Sequence, residues 1–166
     1  DKLVKRTLNR PLALGSISLI EAWLFFLALS VMSLLLLFET NSLTIKISLF
    51  FAFLIMLYPL TKRFFVAPQF ILGITFGSGS IIAYSLESNI FSMSLAILYS
   101  GIIAWIISFD TYYAMEDKND DEQIGVNSTA ILWGNNSIIY SKILHIFFYM
   151  CCLLYTSDAA DDRMRG

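Results

Sequence analysis

Charged residues are scarce in this sequence. Only 14% of its 166 residues are Asp, Glu, Lys or Arg, whereas about a quarter of the residues of a typical soluble domain are charged. Hydrophobic residues make up 57% of the chain, and the mean hydropathy is +0.70. This composition excludes an ordinary soluble domain and favours a protein that lies in a membrane.

Cysteine and histidine are also rare. The two cysteines, Cys151 and Cys152, are adjacent and lie inside an apolar run. Neighbouring cysteines rarely form a disulfide, and no spacing typical of a zinc or iron–sulfur site is present, so we interpret both as small hydrophobic residues. The single histidine, His145, also lies in an apolar run. A packed or snorkelling side chain is the simpler interpretation of it, with a functional role as the alternative.

The apolar residues fall into five runs, near residues 20–38, 43–60, 68–86, 90–109 and 138–154. Each run is close to the roughly 20 residues that a helix needs to cross a bilayer. Backbone groups in lipid must form their hydrogen bonds within the segment, and the alternating pattern of a membrane β-barrel is absent. The sequence therefore predicts an all-α fold, a polytopic transmembrane helix bundle.

Positive charges lie on one side of these five runs. The connections 1–16, 61–67 and 110–137 would share one membrane face, and the connections 39–42 and 87–89 on the other face contain no Lys or Arg. Cytoplasmic loops carry the excess of positive charge, so the first three connections are predicted to be cytoplasmic. They contain Lys2, Lys5, Arg6, Arg10, Lys62, Arg63 and Lys118.

An acidic cluster follows the charge-free run 90–109 directly. If the helix continues past Phe109, Asp110, Asp117 and Asp121 fall on one stripe of its surface. Like charges at this spacing repel one another unless a cation lies between them. Mg²⁺ usually takes one or two carboxylates plus phosphate oxygens of a substrate. The spacing is equally compatible with a solvated acidic loop at the end of a membrane span.

Two basic clusters share the predicted membrane face of the acidic cluster. One comprises Lys5, Arg6 and Arg10, and the other comprises Lys62 and Arg63. Either cluster alone needs no function beyond setting the topology. Arg and Lys are, however, the usual partners of phosphate oxygens. Together with carboxylates that bind Mg²⁺, they form a set that could bind and ionise a diphosphate.

Three motifs resemble those of the UbiA intramembrane prenyltransferases, and most closely the 4-hydroxybenzoate polyprenyltransferase branch. The resemblance runs in order from Asp1 to about Tyr149. Its motifs are Lys5-Arg6-Thr7-x-Asn9-Arg10-Pro11-Leu12, Tyr58-Pro59-x-x-Lys62-Arg63, and Asp110-Thr-x-Tyr-Ala-x-x-Asp117-Lys-x-Asp-Asp121 followed by Ile124-Gly125-x-x-Ser128-Thr129-Ala130. The third motif departs slightly from the family pattern, with Lys118 where Arg is common and Asn119 where Asp is common.

The resemblance implies a bundle of nine transmembrane helices around a cavity that opens laterally to lipid, with two aspartate-rich motifs. Asp1 matches the last aspartate of the first motif, and the five apolar runs match the third to seventh helices. We therefore expect residues 1–151 to be a partial UbiA-like domain, incomplete at both ends and inactive by itself. The segment 152–166 resembles the in-frame translation of a sequencing-library adapter, so we expect it to be non-native.

The resemblance also implies the reaction, which is transfer of a polyprenyl group from a polyprenyl diphosphate to 4-hydroxybenzoate during ubiquinone biosynthesis. In this scheme Mg²⁺ is held by Asp1, Asp117 and Asp121. The diphosphate is bound by the basic residues Lys5, Arg6, Arg10, Lys62 and Arg63. Asp110, which lies deeper, would orient the acidic motif or take part in proton removal.

The expected setting is the bilayer of a bacterial inner membrane, ahead of the mitochondrial inner membrane. No nucleic-acid partner is expected, and nothing in the sequence indicates a protein partner. Two alternatives stay open. One is a prenyltransferase with another aromatic acceptor, such as homogentisate or a naphthoate. The other is a piece of a transporter or channel, for which Gly73, Gly77 and Gly79 could interrupt a helix, although glycines at this spacing more simply indicate close helix packing.

Overall fold

The structure is a computed structural model that describes residues 7–165, with side chains for residues 7–61 and 63–158. Within that part of the chain it contains α-helices and a 3-10 turn at Gly134–Asn136, and it has no β-strand. The helices are α1 (Pro11–Leu14), α2 (Leu19–Phe38), α3 (Ser42–Phe64), α4 (Pro68–Glu87), α5 (Met93–Ile124), α6 (Thr129–Trp133) and α7 (Ser137–Arg165).

Within residues 7–165, five segments are long and apolar enough to cross a membrane. Four of them lie in α2, α3, α4 and α5, and the fifth, Thr129–Asp158, contains α6 and most of α7. The predicted all-α, polytopic membrane fold is therefore confirmed. The chain is an integral membrane protein with several spans.

Polar side chains mark where the long helices begin. The Asn41 side chain accepts a hydrogen bond from the Thr44 backbone N–H, 2.9 Å away, at the start of α3. Ser92 does the same for Leu95 at the start of α5, at 3.1 Å. Such caps satisfy backbone donors that have no partner within the helix. Pro68 begins α4, where a missing N–H costs nothing.

Three helices, α3, α5 and α7, continue well beyond the apolar runs that predicted them. α3 continues to Phe64, so the motif from Tyr58 to Arg63 is helical despite its internal Pro59. α5 continues to Ile124, and much of the expected connection 110–137 is therefore helix. Hydropathy marks the part of a helix that lies in lipid and gives no signal where the same helix enters water. The expected end of the native chain at 151 is not marked by a break in α7, and the origin of residues 152–166 stays a prediction.

Helices α4 and α5 pack closely where α4 has glycines. A Cβ atom added to Gly73 would lie 2.9 Å from Cγ2 and 3.1 Å from the carbonyl oxygen of Ile103. At Gly77 the nearest neighbour would be the Tyr99 ring, at 3.1 Å. The Tyr99 hydroxyl also donates to the carbonyl of Ile74, at 2.8 Å. Gly73 and Gly77 therefore form a packing face. The two helices are antiparallel, because the later glycine of α4 contacts the earlier residue of α5.

The opposite side of α5 packs against α7. A Cβ atom at Gly101 would lie only 2.6 Å from Cβ of Cys151, which is buried. Nearer the C-terminal end of α5, the Ser108 hydroxyl lies 2.6 Å from Nδ1 of His145. Cys151 thus packs as a small residue, and His145 forms an interhelical hydrogen bond. These contacts show that α7 is antiparallel to α5.

Helices α3 and α4 are joined by buried polar contacts. The Thr44 and Ser85 hydroxyls are 2.8 Å apart, and the Asn41 amide donates to the carbonyl of Ser85 at 2.7 Å. Because these contacts join the start of α3 to the end of α4, the two helices are antiparallel. The spanning helices therefore lie in a row with α5 between α4 and α7, and α2, which has no buried residue, at the edge.

Candidate active site

The acidic cluster lies on the C-terminal part of α5. The helix extends without interruption from Met93 to Ile124, so the expected alignment of Asp110, Asp117 and Asp121 on one stripe is realised. We call these three residues the acidic stripe. All three side chains are partly buried.

The acidic stripe points to the side of α5 that faces α4. Ile103, which contacts Gly73 of α4, precedes Asp110 by seven residues and Asp117 by fourteen, and residues seven apart lie on the same helix face. α4 begins at Pro68, close to where the stripe starts. The α4-facing surface of α5 therefore continues past the N-terminal end of α4, and the carboxylates lie on this continuation.

The end of α3 reaches the same surface. The Asp110 carboxylate interacts electrostatically with Tyr58, the first residue of the Tyr-Pro-x-x-Lys-Arg motif. Arg63 lies one residue before the end of α3, and its side chain is exposed. Lys62 is in the same helical turn, and its side chain is outside the described residues. The antiparallel order of α3, α4 and α5 thus brings the second basic cluster to the same membrane face as the acidic stripe.

The first basic cluster is described only in part. Arg10 precedes α1, its side chain is exposed, and its carbonyl accepts a hydrogen bond from Leu14 N–H at 2.9 Å. Lys5 and Arg6 lie outside the described residues, as does Asp1. Their expected roles in binding diphosphate and metal therefore stay predictions.

The described part of α5 offers two carboxylates suited to one Mg²⁺ ion. Asp117 and Asp121 are one helical turn apart, a spacing at which Cβ atoms are about 5–6 Å apart. No group of three or more His, Cys, Asp or Glu side chains in the described part of the chain is arranged to hold a metal. Two carboxylates nevertheless fit Mg²⁺, which completes its six oxygen ligands with water and substrate phosphates.

One part of this region was not predicted from the sequence. The hydroxyls of Thr111 and Thr129 are 2.6 Å apart, and the backbone N–H of Thr129 donates to Oε1 of Gln69 at 2.9 Å. Gln69 is 2% exposed, and both threonines are fully buried. We call these three residues the polar cluster. Thr129 belongs to the third sequence motif. The only sequence feature that could have indicated a role for Gln69 was the presence of an amide side chain inside an apolar run.

The chain belongs to the UbiA prenyltransferase family, which it matches over residues 1–160. It is similar to proteins named 4-hydroxybenzoate octaprenyltransferase from several bacteria. It is 41% identical to that of Saccharophagus degradans over 146 residues, which are 88% of this chain and 49% of the relative. It is 41% identical to that of Pseudomonas fluorescens over 154 residues, which are 93% of this chain and 52% of the relative.

A third relative of the same name, from Aliivibrio fischeri, is 46% identical over 134 residues, which are 81% of this chain and 47% of the relative. The chain thus spans about half the length of the curated relatives it matches. No solved structure matches it. The family resemblance of the motifs is confirmed.

Proposed function

We propose that this chain carries part of the active site of a Mg²⁺-dependent enzyme that transfers a polyprenyl group from a polyprenyl diphosphate to 4-hydroxybenzoate. The observation that carries this proposal is the pairing of Asp117 and Asp121 on α5, on the same membrane face as Arg63. The relatives support the choice of acceptor, because they are named as 4-hydroxybenzoate octaprenyltransferases.

The two ends of the site have different tasks in this proposal. Asp117 and Asp121 would hold Mg²⁺, which when bound would offset negative charge on the diphosphate. Arg63 and Lys62, together with Lys5, Arg6 and Arg10, would bind the diphosphate oxygens and stabilise the charge that develops as this group departs. Asp1 would join the metal ligands.

The bond changes follow electrophilic aromatic substitution. The allylic C1–O bond breaks, and the diphosphate keeps the electron pair. The ring carbon ortho to the hydroxyl of 4-hydroxybenzoate then bonds to C1 and loses its proton to a base. Asp110 interacts electrostatically with Tyr58 and lies at the level where the membrane-spanning part of α5 ends, and it is the candidate to orient the motif or accept this proton. Apolar helix surfaces would exclude water, which would otherwise trap the allylic cation as an alcohol.

The experiment uses a chimera, in which the matched residues of this chain replace the corresponding half of the Saccharophagus degradans relative. Membranes that contain the chimera receive Mg²⁺, a polyprenyl diphosphate and mass-tagged 4-hydroxybenzoate. We expect prenylated product, and we expect Asp117→Ala, Asp121→Ala or EDTA each to remove most of it. Asp120→Ala is the matched control and should be milder, because position 120 points away from the acidic stripe.

Near-normal turnover by both Asp117→Ala and Asp121→Ala, or activity that survives chelation, would contradict the metal site. Replacing the acceptor tests the choice of substrate. If the chimera prefers homogentisate or a naphthoate to 4-hydroxybenzoate, the chain would be assigned to another branch of the family. The transporter alternative gains no support, because α4 is continuous through Gly73, Gly77 and Gly79.

A further inference from the structure

The acidic part of α5 belongs to a segment that leaves the helix bundle and returns to it. Thr111 of α5 and Thr129, the first residue of α6, are 18 residues apart in sequence, yet their hydroxyls are 2.6 Å apart. Their contact joins the two ends of residues 112–128, which comprise the last part of α5 and the connection to α6. This acidic segment contains Asp117 and Asp121 and reverses direction after α5 ends.

Gln69 fastens the base of the acidic segment to α4. Thr129 is the first residue of α6, so its backbone N–H has no partner within that helix. It donates to Oε1 of Gln69, at 2.9 Å. Since a backbone N–H can only donate, the amide atom that faces it must be the oxygen. Loss of this acceptor would leave a buried N–H without a partner, which costs more than the hydrogen bond itself contributes.

We propose that Gln69 is a positioning residue for the metal and diphosphate site. Through Thr129 and Thr111 it fixes the orientation of the acidic segment relative to the end of α3 and the start of α4. Thr111 directly follows Asp110 in the sequence, so the polar cluster and the acidic stripe begin at the same level of α5. This inference rests on the proposed function and adds to it a residue that touches neither metal nor diphosphate.

The physical basis is the cost of burying polar groups in this setting. An amide and two hydroxyls are excluded from water at this contact. The amide oxygen accepts from the Thr129 backbone N–H, the two hydroxyls bond to each other, and the Thr111 hydroxyl donates to the Ile107 carbonyl. Burial of such polar groups costs free energy unless bonds of this kind are formed. The bonds therefore hold one relative arrangement of α4, α5 and α6. A tilt of the acidic segment would move both carboxylates relative to Arg63. Residues that orient metal ligands typically change metal affinity or activity by about 10–100-fold when they are replaced.

The first measurement compares Gln69→Met with Ser85→Ala in the chimera. Methionine has a similar length and no strong acceptor, so it removes the bond to Thr129. Ser85 is the matched control because it is also fully buried and forms an interhelical bond to Thr44, 2.8 Å long, at the opposite membrane face. We expect Gln69→Met to raise the Mg²⁺ concentration that gives half-maximal turnover by about tenfold. Ser85→Ala should leave that concentration unchanged.

The second measurement needs no activity. Hydrogen–deuterium exchange is followed on this chain alone, in lipid nanodiscs and without substrate. Loss of one buried hydrogen bond should let the backbone amides of residues 112–128 exchange about fivefold faster in Gln69→Met. The same amides should be unaffected in Ser85→Ala. If Gln69→Met fails to fold, Thr129→Val removes only the hydroxyl contact to Thr111 and should change both readouts in the same direction, by less.

The outcomes separate the two proposals. Faster exchange in the acidic segment together with a higher Mg²⁺ requirement supports the positioning role of Gln69. The positioning role is overturned if Gln69→Met behaves like Ser85→Ala in both measurements. It is also overturned if exchange is faster in Gln69→Met while its Mg²⁺ requirement is unchanged. A chimera that forms no product, or ignores Mg²⁺, contradicts the proposed function instead. The exchange comparison then still decides whether Gln69 holds the segment.

Discussion

Arg63 is the residue whose proposed role depends most on the shape of its side chain. It is exposed near the end of α3, on the same membrane face as the acidic stripe. A guanidinium offers a planar fork that matches two phosphate oxygens, whereas a lysine offers a single point of charge. If the fork matters, preserving the charge will not preserve the activity.

We therefore expect Arg63→Lys in the chimera to lower kcat/KM at least about tenfold, roughly 1.4 kcal/mol of transition-state binding. Arg63→Ala should be worse, since it removes the charge as well. The measurement is the initial rate of 4-hydroxybenzoate prenylation over a series of polyprenyl diphosphate concentrations. Equal activity of Arg63→Lys and the parent, with Arg63→Ala inactive, would show that the site requires only a positive charge.

Single residues differed in how far the sequence could predict them. The alignment of Asp117 and Asp121 could be predicted on the condition that the helix continues past Phe109, because their spacing then places them on one helix face. Gln69 was not, because its meaning depends on Thr129, which is distant in sequence and reaches it only after the chain has folded. A lone amide in an apolar run carries no sign of such a partner.

Among the helices, α4 and α5 show how small residues decide packing. The backbones approach at Gly73, while a Cβ atom at Gly79 would meet nothing within 4 Å. Both glycines lie in the same helix and lose similar conformational freedom on folding. They differ only in what surrounds them, which makes them a matched pair.

We expect Gly73→Ala to destabilise the chain by about 1–3 kcal/mol, because the added methyl group would contact the backbone carbonyl as well as the side chain of Ile103. Gly79→Ala should be neutral or stabilising by up to about 1 kcal/mol, since alanine favours a helix. Thermal unfolding in one detergent compares the two variants. Equal melting temperatures would mean that α4 and α5 can separate slightly without loss.

Element boundaries were predicted less well than element number. All five runs correspond to helices, since roughly 20 apolar residues in succession leave few alternatives. The extension of α5 to Ile124 could only be stated as a condition. Past Phe109 the sequence is polar, and a polar stretch of this kind is compatible with both a helix and a loop.

For the whole molecule, the distribution of positive charge predicts the orientation of the protein in the membrane. Arg63 and the acidic stripe share one membrane face, and the short connection between α4 and α5 lies on the other. Lys and Arg are confined to the first of these two faces among the connections. We propose that the charged face is cytoplasmic, as the positive-inside rule predicts.

Single-cysteine variants test this orientation. Cys151 and Cys152 are replaced by alanine, and a cysteine is introduced at one of two exposed positions, Asn89→Cys or Asn119→Cys. A maleimide that cannot cross membranes should label Asn89→Cys in cells with a permeabilised outer membrane. It should label Asn119→Cys only after the inner membrane is opened. The reverse pattern would place the acidic stripe outside the cytoplasm.

The length of α5 affects how the two products of the proposed reaction would separate. Its 32 residues extend for about 48 Å, while the hydrocarbon layer is only about 30 Å thick. The last turns, with Asp117 and Asp121, therefore stand in the aqueous layer while the rest of the helix stays in lipid. In the proposed reaction, diphosphate released there would enter water directly, and the prenylated ring would stay in the lipid layer. Each turnover would thus send its ionic by-product and its oily product in opposite directions, which hinders their recombination.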